Sequence, residues 1–331
     1  MLRSTLVAIL ALVLAVVVLP TAPSLAAPEF SIPSCAKQGA VADALAVQVP
    51  MSTAPLAAPP AITAKSAVVI DGDTGRVLYD LGAHDRRPPA SVTKIMTALL
   101  TIEHGDLGRT VVSDVDATTM VGSSVMGLRP GVPITIEDLL YGLMLPSGND
   151  AAVLLAENVD GSVPAFVAEM NKKAKELGLK DTHFANPHGL DDPNHYSSAY
   201  DLARLARYAM QEPEFAKIVS TQDWHLAPPS DYDLHNGNSL LETYPGADGV
   251  KIGWTDNAGW TLVASAQRDG HRLYVTVLDS TDRDADATAL FDWAFSGYSW
   301  VRLEQKTVDQ MRLAERLGIG SALVRSLSVC A

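Results

Sequence analysis

Three short runs along the chain hold residue types that can together perform acyl transfer. In Ser91-Val92-Thr93-Lys94 a hydroxyl precedes an amine by three positions. On a helix those positions share one face, so the two groups can meet. A serine hydroxyl is a weak nucleophile until a base takes its proton. A lysine serves as that base where burial and nearby cations favour its neutral form. Ile95, Met96, Leu99 and Leu100 recur at helical spacing behind Ser91 and would bury such a helix, which helps desolvate Lys94. Taken singly the spacing says little, because Ser34-Cys35-Ala36-Lys37 repeats it in a Pro/Ala-rich stretch with no helical pattern around it.

The second run, Ser147-Gly148-Asn149, is the only Ser-x-Asn in the chain and follows Pro146 at a break between two helical patterns. A loop there can aim a hydroxyl and an amide into a cleft, with Ser147 relaying a proton and Asn149 holding a carbonyl and Lys94. All three residues are also common helix caps, so alone the run would read as a cap. The third run is Lys251-Ile252-Gly253-Trp254-Thr255, after Gly246 and Gly249. Lys251 offers a cation to a carboxylate, and Gly253 lets another backbone approach closely. Only Ser91, Ser147 and Lys251 give the three elements in order inside the folded body.

The elements that must hold these residues can be read from the pattern. Ala67-Val68-Val69-Ile70 and Arg76-Val77-Leu78-Tyr79 flank Asp71-Gly72-Asp73-Thr74-Gly75, a hairpin signal. Trp260 to Gln267 and Arg272 to Leu278 flank Arg268-Asp269-Gly270, a second one. Between them, helices are predicted from Ser91, over 135–145 and 150–158, from Ser162 and Pro164 to Leu177-Gly178, and over Asp201 to Met210. Strands at both ends with helices between them predict an α+β fold, an antiparallel sheet flanked by helices with a helical subdomain. After Tyr298 the chain is charged and helical in pattern.

Composition bounds the alternatives. The chain has 331 residues, 47% of them hydrophobic and 19% charged, which suits a sizeable core. A net charge of −13 speaks against a nucleic-acid partner, for no basic stripe is there to neutralise phosphates. Arg3 is the only charge in the first 26 residues, and an apolar run from Leu6 to Leu19 leads to Ser24-Leu25-Ala26-Ala27. That is the layout of a signal peptide over residues 1–26, so export to the periplasm, cell wall or medium is expected, with membrane association if the segment is retained. Residues 27–64, rich in Ala and Pro, read as a leader or linker. Cys35 and Cys330 could pair in an exported protein or remain two free thiols. The eight histidines show no close zinc spacing, so no metal or other cofactor is expected.

The three runs together resemble the trio of β-lactamases and penicillin-binding proteins, and more closely the low-molecular-weight D-alanyl-D-alanine carboxypeptidase branch, over roughly residues 64–298. Pro89 to Thr97, Leu145 to Ala152, Phe184-Ala185-Asn186-Pro187-His188-Gly189-Leu190 and His195-Tyr196-Ser197-Ser198-Ala199-Tyr200-Asp201 carry the likeness. The resemblance implies a transpeptidase-like catalytic domain over 65–298, with a tail over 299–331. It implies Ser91 as acylated nucleophile, Lys94 as base, and Ser147 and Asn149 as aids to proton transfer and positioning. Lys251, Gly253, Trp254, Thr255 and, less directly, Arg283 would bind substrate, with the backbone N–H groups of Ser91 and Trp254 as the oxyanion hole. The implied substrate is a peptidoglycan stem peptide ending in D-Ala-D-Ala, the implied inhibitors are β-lactams, and the implied state is a monomer.

One departure stands out: Ile252 occupies a place where the family usually has Thr, and Thr255 is a candidate to compensate. Residues 176–190 lack the Glu-x-x-Leu-Asn pattern that a class A β-lactamase uses to activate deacylating water. D,D-endopeptidase action on cross-links, or a non-catalytic wall-binding module on the same fold, remain the other readings.

Overall fold

A computed structural model describes residues 45–50 and 57–303. Strands β1 (Leu45–Pro50), β2 (Ser66–Asp71) and β3 (Val77–Leu81) come first, then a 3-10 turn at Ala90–Thr93 that runs directly into helix α1 (Lys94–His104). Short strands β4 (Thr110–Val112) and β5 (Pro133–Thr135) precede helices α2 (Ile136–Met144), α3 (Asn149–Asp160), α4 (Val163–Glu176) and α5 (Ala199–Ala209). Helix α6 (Pro213–Ser220), strands β6 (Asp223–Leu226) and β7 (Tyr232–His235) and the short α7 (Leu240–Thr243) follow. The chain then forms β8 (Ala247–Thr255), β9 (Gly259–Arg268), β10 (His271–Ser280), α8 (Arg283–Gly297) and β11 (Tyr298–Leu303).

The main sheet has the order β3-β2-β10-β9-β8, and every neighbouring pair is antiparallel. Both expected hairpins form. Asp269 and Gly270 join β9 to β10 with φ of +50° and +80°, the left-handed pair that a tight two-residue hairpin requires. Both faces of the sheet are covered, so β2 is buried along its whole length. Val68, Ile70, Val263 and Tyr274 face the core shared with α1, α2, α3 and α5. Val69, Leu262, Val275 and Val277 face a second core under Leu290, Phe291 and Ala294 of α8. The two sets alternate along the strands as the period of two demands. The α+β architecture expected from the sequence is the one observed.

Helix α1 lies in the larger core, with Lys94 to Thr101 buried without interruption. A helix buried all round belongs in the centre of a domain. Ser162 accepts from the N–H of Ala165 and starts α4, which ends at Leu177 and the left-handed Gly178, as its cap residues predicted.

Three segments differ from the sequence reading. Leu45–Pro50, inside the stretch read as a leader, is a strand, and it pairs antiparallel with Tyr298–Leu303, where a helical pattern was expected. Helix α8 was not anticipated. Its apolar face is interrupted by Asp286, which is buried because its oxygens accept from Thr63 N, Thr63 Oγ1 and Ala64 N at 2.8 Å each and from Ser280 Oγ at 2.7 Å. A buried carboxylate satisfied by distant donors breaks the periodicity that marks a helix in sequence. The signal-like segment, Cys35, Cys330 and residues 304–331 lie outside the described residues. Among those described, no single helix is long and apolar enough to cross a membrane.

Candidate active site

Ser91 sits in the 3-10 turn and Lys94 is the first residue of α1, so the turn presents the hydroxyl and amine on one side. Lys94 Nζ is 3.0 Å from Ser91 Oγ, 2.6 Å from Asn149 Oδ1 and 2.8 Å from the carbonyl oxygen of His188. The residue is 0% exposed. Burial holds its pKa well below the usual lysine value, and the Lys251 cation pushes it the same way, while the Asp150 carboxylate works against both. A neutral amine has two N–H bonds and one lone pair. The two carbonyl acceptors take the N–H bonds, which leaves the lone pair for the Ser91 proton.

Ser147 lies in the break between α2 and α3 with φ of +68°. Its Oγ is buried and has no hydrogen-bond partner among the described residues. Buried hydroxyls left without a partner are rare in folded proteins, and this one marks a group able to bond a molecule that binds beside it. Asn149 opens α3, with Oδ1 on Lys94 and Nδ2 donating to Ser123 Oγ. Asp150, which follows, is fully buried and accepts from the N–H groups of Met126, Gly127 and Leu128 at 2.9 Å each. It thus holds the loop that carries Ser123 against α3.

Strand β8 forms the opposite wall and is an edge of the sheet. Lys251, Gly253 and Thr255 face the nucleophile side. Lys251 is buried, and its Nζ makes no ion pair or hydrogen bond with the described residues. Burial and then the Arg283 cation bring its pKa down to about 7. A Cβ at Gly253 would lie 2.8 Å from Ser91 N, so only glycine lets the strand come this near the turn. Trp254 points the other way and is 52% exposed beside Trp260, its partner on β9. Arg283, at the start of α8, donates to Gly253 O at 3.2 Å and stacks 4.5 Å from the Trp260 ring centre.

All nine candidate residues therefore come to one region, with one change of role. Thr255 does not offer its hydroxyl in place of the one missing at Ile252. It donates to Asp191 Oδ1 at 2.8 Å and accepts from Ala258 N at 3.1 Å. Ile252 packs partly on the α8 core, on the face opposite Lys251. Ser123, Asp150 and the His188 carbonyl were not singled out by residue-type reasoning, and a backbone carbonyl leaves no trace in composition.

His195 is buried and holds the turn from below. Its Nδ1 accepts from Ala185 N at 3.0 Å, so the neutral ring carries its proton on Nε2 and donates to Thr93 Oγ1 at 2.8 Å.

A family model described as D-alanyl-D-alanine carboxypeptidase, Peptidase S11, matches residues 53–282. The chain belongs to this family. It is 44% identical over 244 residues to the D-alanyl-D-alanine carboxypeptidase DacF of Bacillus subtilis, a match covering 71% of this chain and 63% of the relative. It is 38% identical over 262 residues to DacD of Salmonella typhimurium, covering 74% of this chain and 66% of the relative. The match thus spans just under two thirds of the length of these curated relatives. Among solved structures, the Streptomyces K15 DD-transpeptidase superposes with a TM-score of 0.68 at 33% identity, over 72% of this chain and 99% of that one.

Buried His195 makes stability depend on pH. Burial brings the pKa of His195 from 6.5 down to about 4, so the fold keeps the ring neutral where the unfolded chain binds a proton. Stability is then full above about pH 6.5 and is lost as pH falls towards 4. Urea titrations across that window should give a falling midpoint, with a shallower fall in His195→Gln. An identical slope in the variant would mean that His195 is not held neutral.

Proposed function

We propose that the chain is a serine D,D-carboxypeptidase that removes the terminal D-alanine from peptidoglycan stem peptides through a Ser91 acyl-enzyme. The carrying observation is the Lys94 amine, buried, 3.0 Å from Ser91 Oγ, with its other two contacts on carbonyl oxygens. Family membership supports the substrate class. The signal-like N-terminus supports action outside the cytoplasm, where that substrate lies.

The proposed steps use these groups in turn. Lys94 Nζ takes the Ser91 proton as Oγ attacks the carbonyl carbon of the penultimate D-Ala. The π electrons of that carbonyl move to its oxygen, beside the N–H groups of Ser91 and Trp254, where fixed donors stabilise the developing charge. Collapse re-forms the carbonyl and breaks the C–N bond, and the leaving amine takes a proton from Lys94, relayed by Ser147 Oγ, whose hydrogen bonds are otherwise unmade. Water then attacks the ester carbonyl as Lys94 accepts a proton from it, and collapse breaks the bond from that carbon to Ser91 Oγ, which takes the proton back from Lys94 as the shortened peptide leaves. The terminal carboxylate meets Lys251, with Arg283 behind it. β-Lactams would enter the first half of this sequence and stop as stable esters. The DD-transpeptidase neighbour favours a second reading, in which an amine replaces water as acceptor. Product analysis with and without an added amino-acid acceptor separates the two.

Intact-mass measurement after benzylpenicillin treatment should show one covalent adduct, absent in Ser91→Ala. An adduct that persists in that variant would assign the nucleophile elsewhere.

The Lys251 cation is present below about pH 7 and lost above it. The ratio of kcat/KM on free-acid peptides to that on their C-terminal amides should therefore fall as pH rises through 7. A ratio that stays flat from pH 6 to 9 would remove Lys251 from the carboxylate site.

A further inference from the structure

The Thr255 hydroxyl belongs to a contact that joins the two walls of the site. One wall is the loop from Asn186 to Asp191, which supplies the His188 carbonyl to Lys94. The other is the end of β8. Each wall presses a glycine against the same peptide unit. A Cβ at Gly189, whose φ is +94°, would fall 1.9 Å from Ala90 O. A Cβ at Gly253 would fall 2.8 Å from Ser91 N. The Ala90–Ser91 peptide is thus gripped from both sides, and Ala90 is held at φ +52°, a region alanine rarely adopts. Two residues beyond each glycine the walls meet, where Thr255 Oγ1 donates to Asp191 Oδ1 at 2.8 Å. A hydrogen bond to an ionised carboxylate is among the stronger kinds.

We infer that Asp191 is a positioning residue that closes this ring. Its bond to Thr255 fixes the gap between the N–H groups of Ser91 and Trp254, and it keeps the His188 carbonyl on Lys94. Asp191 is exposed, and its hydrogen bond spans 64 positions of sequence to reach β8. The inference rests on the Ser91 acyl-enzyme proposed above and adds to it a residue that touches neither substrate nor nucleophile. Thr255 alone could cap the β8–β9 turn through Ala258 N, and a cap would need no Asp191.

The test uses the full-length chain in four forms beside wild type: Asp191→Ala, Asp191→Asn, Thr255→Val and the double Asp191→Ala/Thr255→Val. Acylation by a fluorescent penicillin is followed as a rate, together with thermal midpoints and amide exchange in 186–191 and 253–258. Misplacement of reacting groups by a fraction of an ångström slows such steps, so Asp191→Ala and Thr255→Val should each acylate about 10- to 100-fold more slowly. The double variant should be no slower than the slower single one, since both remove the same bond. Asp191→Asn still presents an oxygen to the Thr255 hydroxyl and should keep the wild-type rate. Exchange should quicken in both segments together in Thr255→Val. Wild-type acylation by Asp191→Ala, losses that multiply in the double variant, or exchange that quickens in 253–258 alone would overturn the inference. A wild-type protein that never reacts with penicillin would refute the acyl-enzyme instead, and the exchange measurement would still judge the ring.

Discussion

The site depends on one amine that the fold takes out of water and gives no carboxylate of its own. Moving an ammonium into a protein interior is costly unless an anion compensates it. Around Lys94 the near groups are a hydroxyl, a side-chain amide oxygen and a backbone carbonyl. The one carboxylate close enough to register, Asp150, is already satisfied by the backbone of Met126, Gly127 and Leu128. Lys251 adds a second cation on the far side. Such surroundings favour the form of lysine that can accept a proton, and on the proposed mechanism this form makes Ser91 a nucleophile.

Much of the remaining architecture can be understood as holding that amine in place. Helix α1 can carry a lysine at zero exposure only because its later turns, from Ile95 to Leu100, are anchored between the sheet and the helical layer. The acceptors for Nζ come from two other places, the start of α3 and the loop before α5, so three separate stretches of chain must converge. His195 and the two glycines at 189 and 253 bring the loop before α5 and strand β8 against the nucleophile turn, and Asp150 holds the Ser123 loop on α3. Among the described residues Ser147 Oγ is buried with no hydrogen-bond partner, which on the proposed mechanism a substrate group would supply.

The parts of this arrangement legible in sequence are those that express themselves as local chemistry. Ser91 and Lys94 at helical spacing, the Asp-Gly turn before β10 and the caps of α4 are all set within a few residues, and each is found as read. The three runs were assigned to one site by their order and by family likeness, and the structure brings them together. What escaped depends on partners far away in the chain. Helix α8 hides its pattern behind Asp286, whose burial makes sense only once Thr63 and Ala64 are beside it. Strand β1 finds its mate at β11, across the whole domain. Thr255 looked like a spare hydroxyl for a carboxylate because nothing near it in sequence announces Asp191.

The protonation state of Lys94 is the most direct test. With lysine labelled at Nζ with nitrogen-15, and Lys94→Arg used to assign the signal, the side-chain resonance can be followed from pH 5 to 11. The account predicts a titration midpoint well below 10.5, the ordinary lysine value. A Lys94 signal that remains an ammonium up to that ordinary value would contradict it, since no base would then stand beside Ser91 at neutral pH.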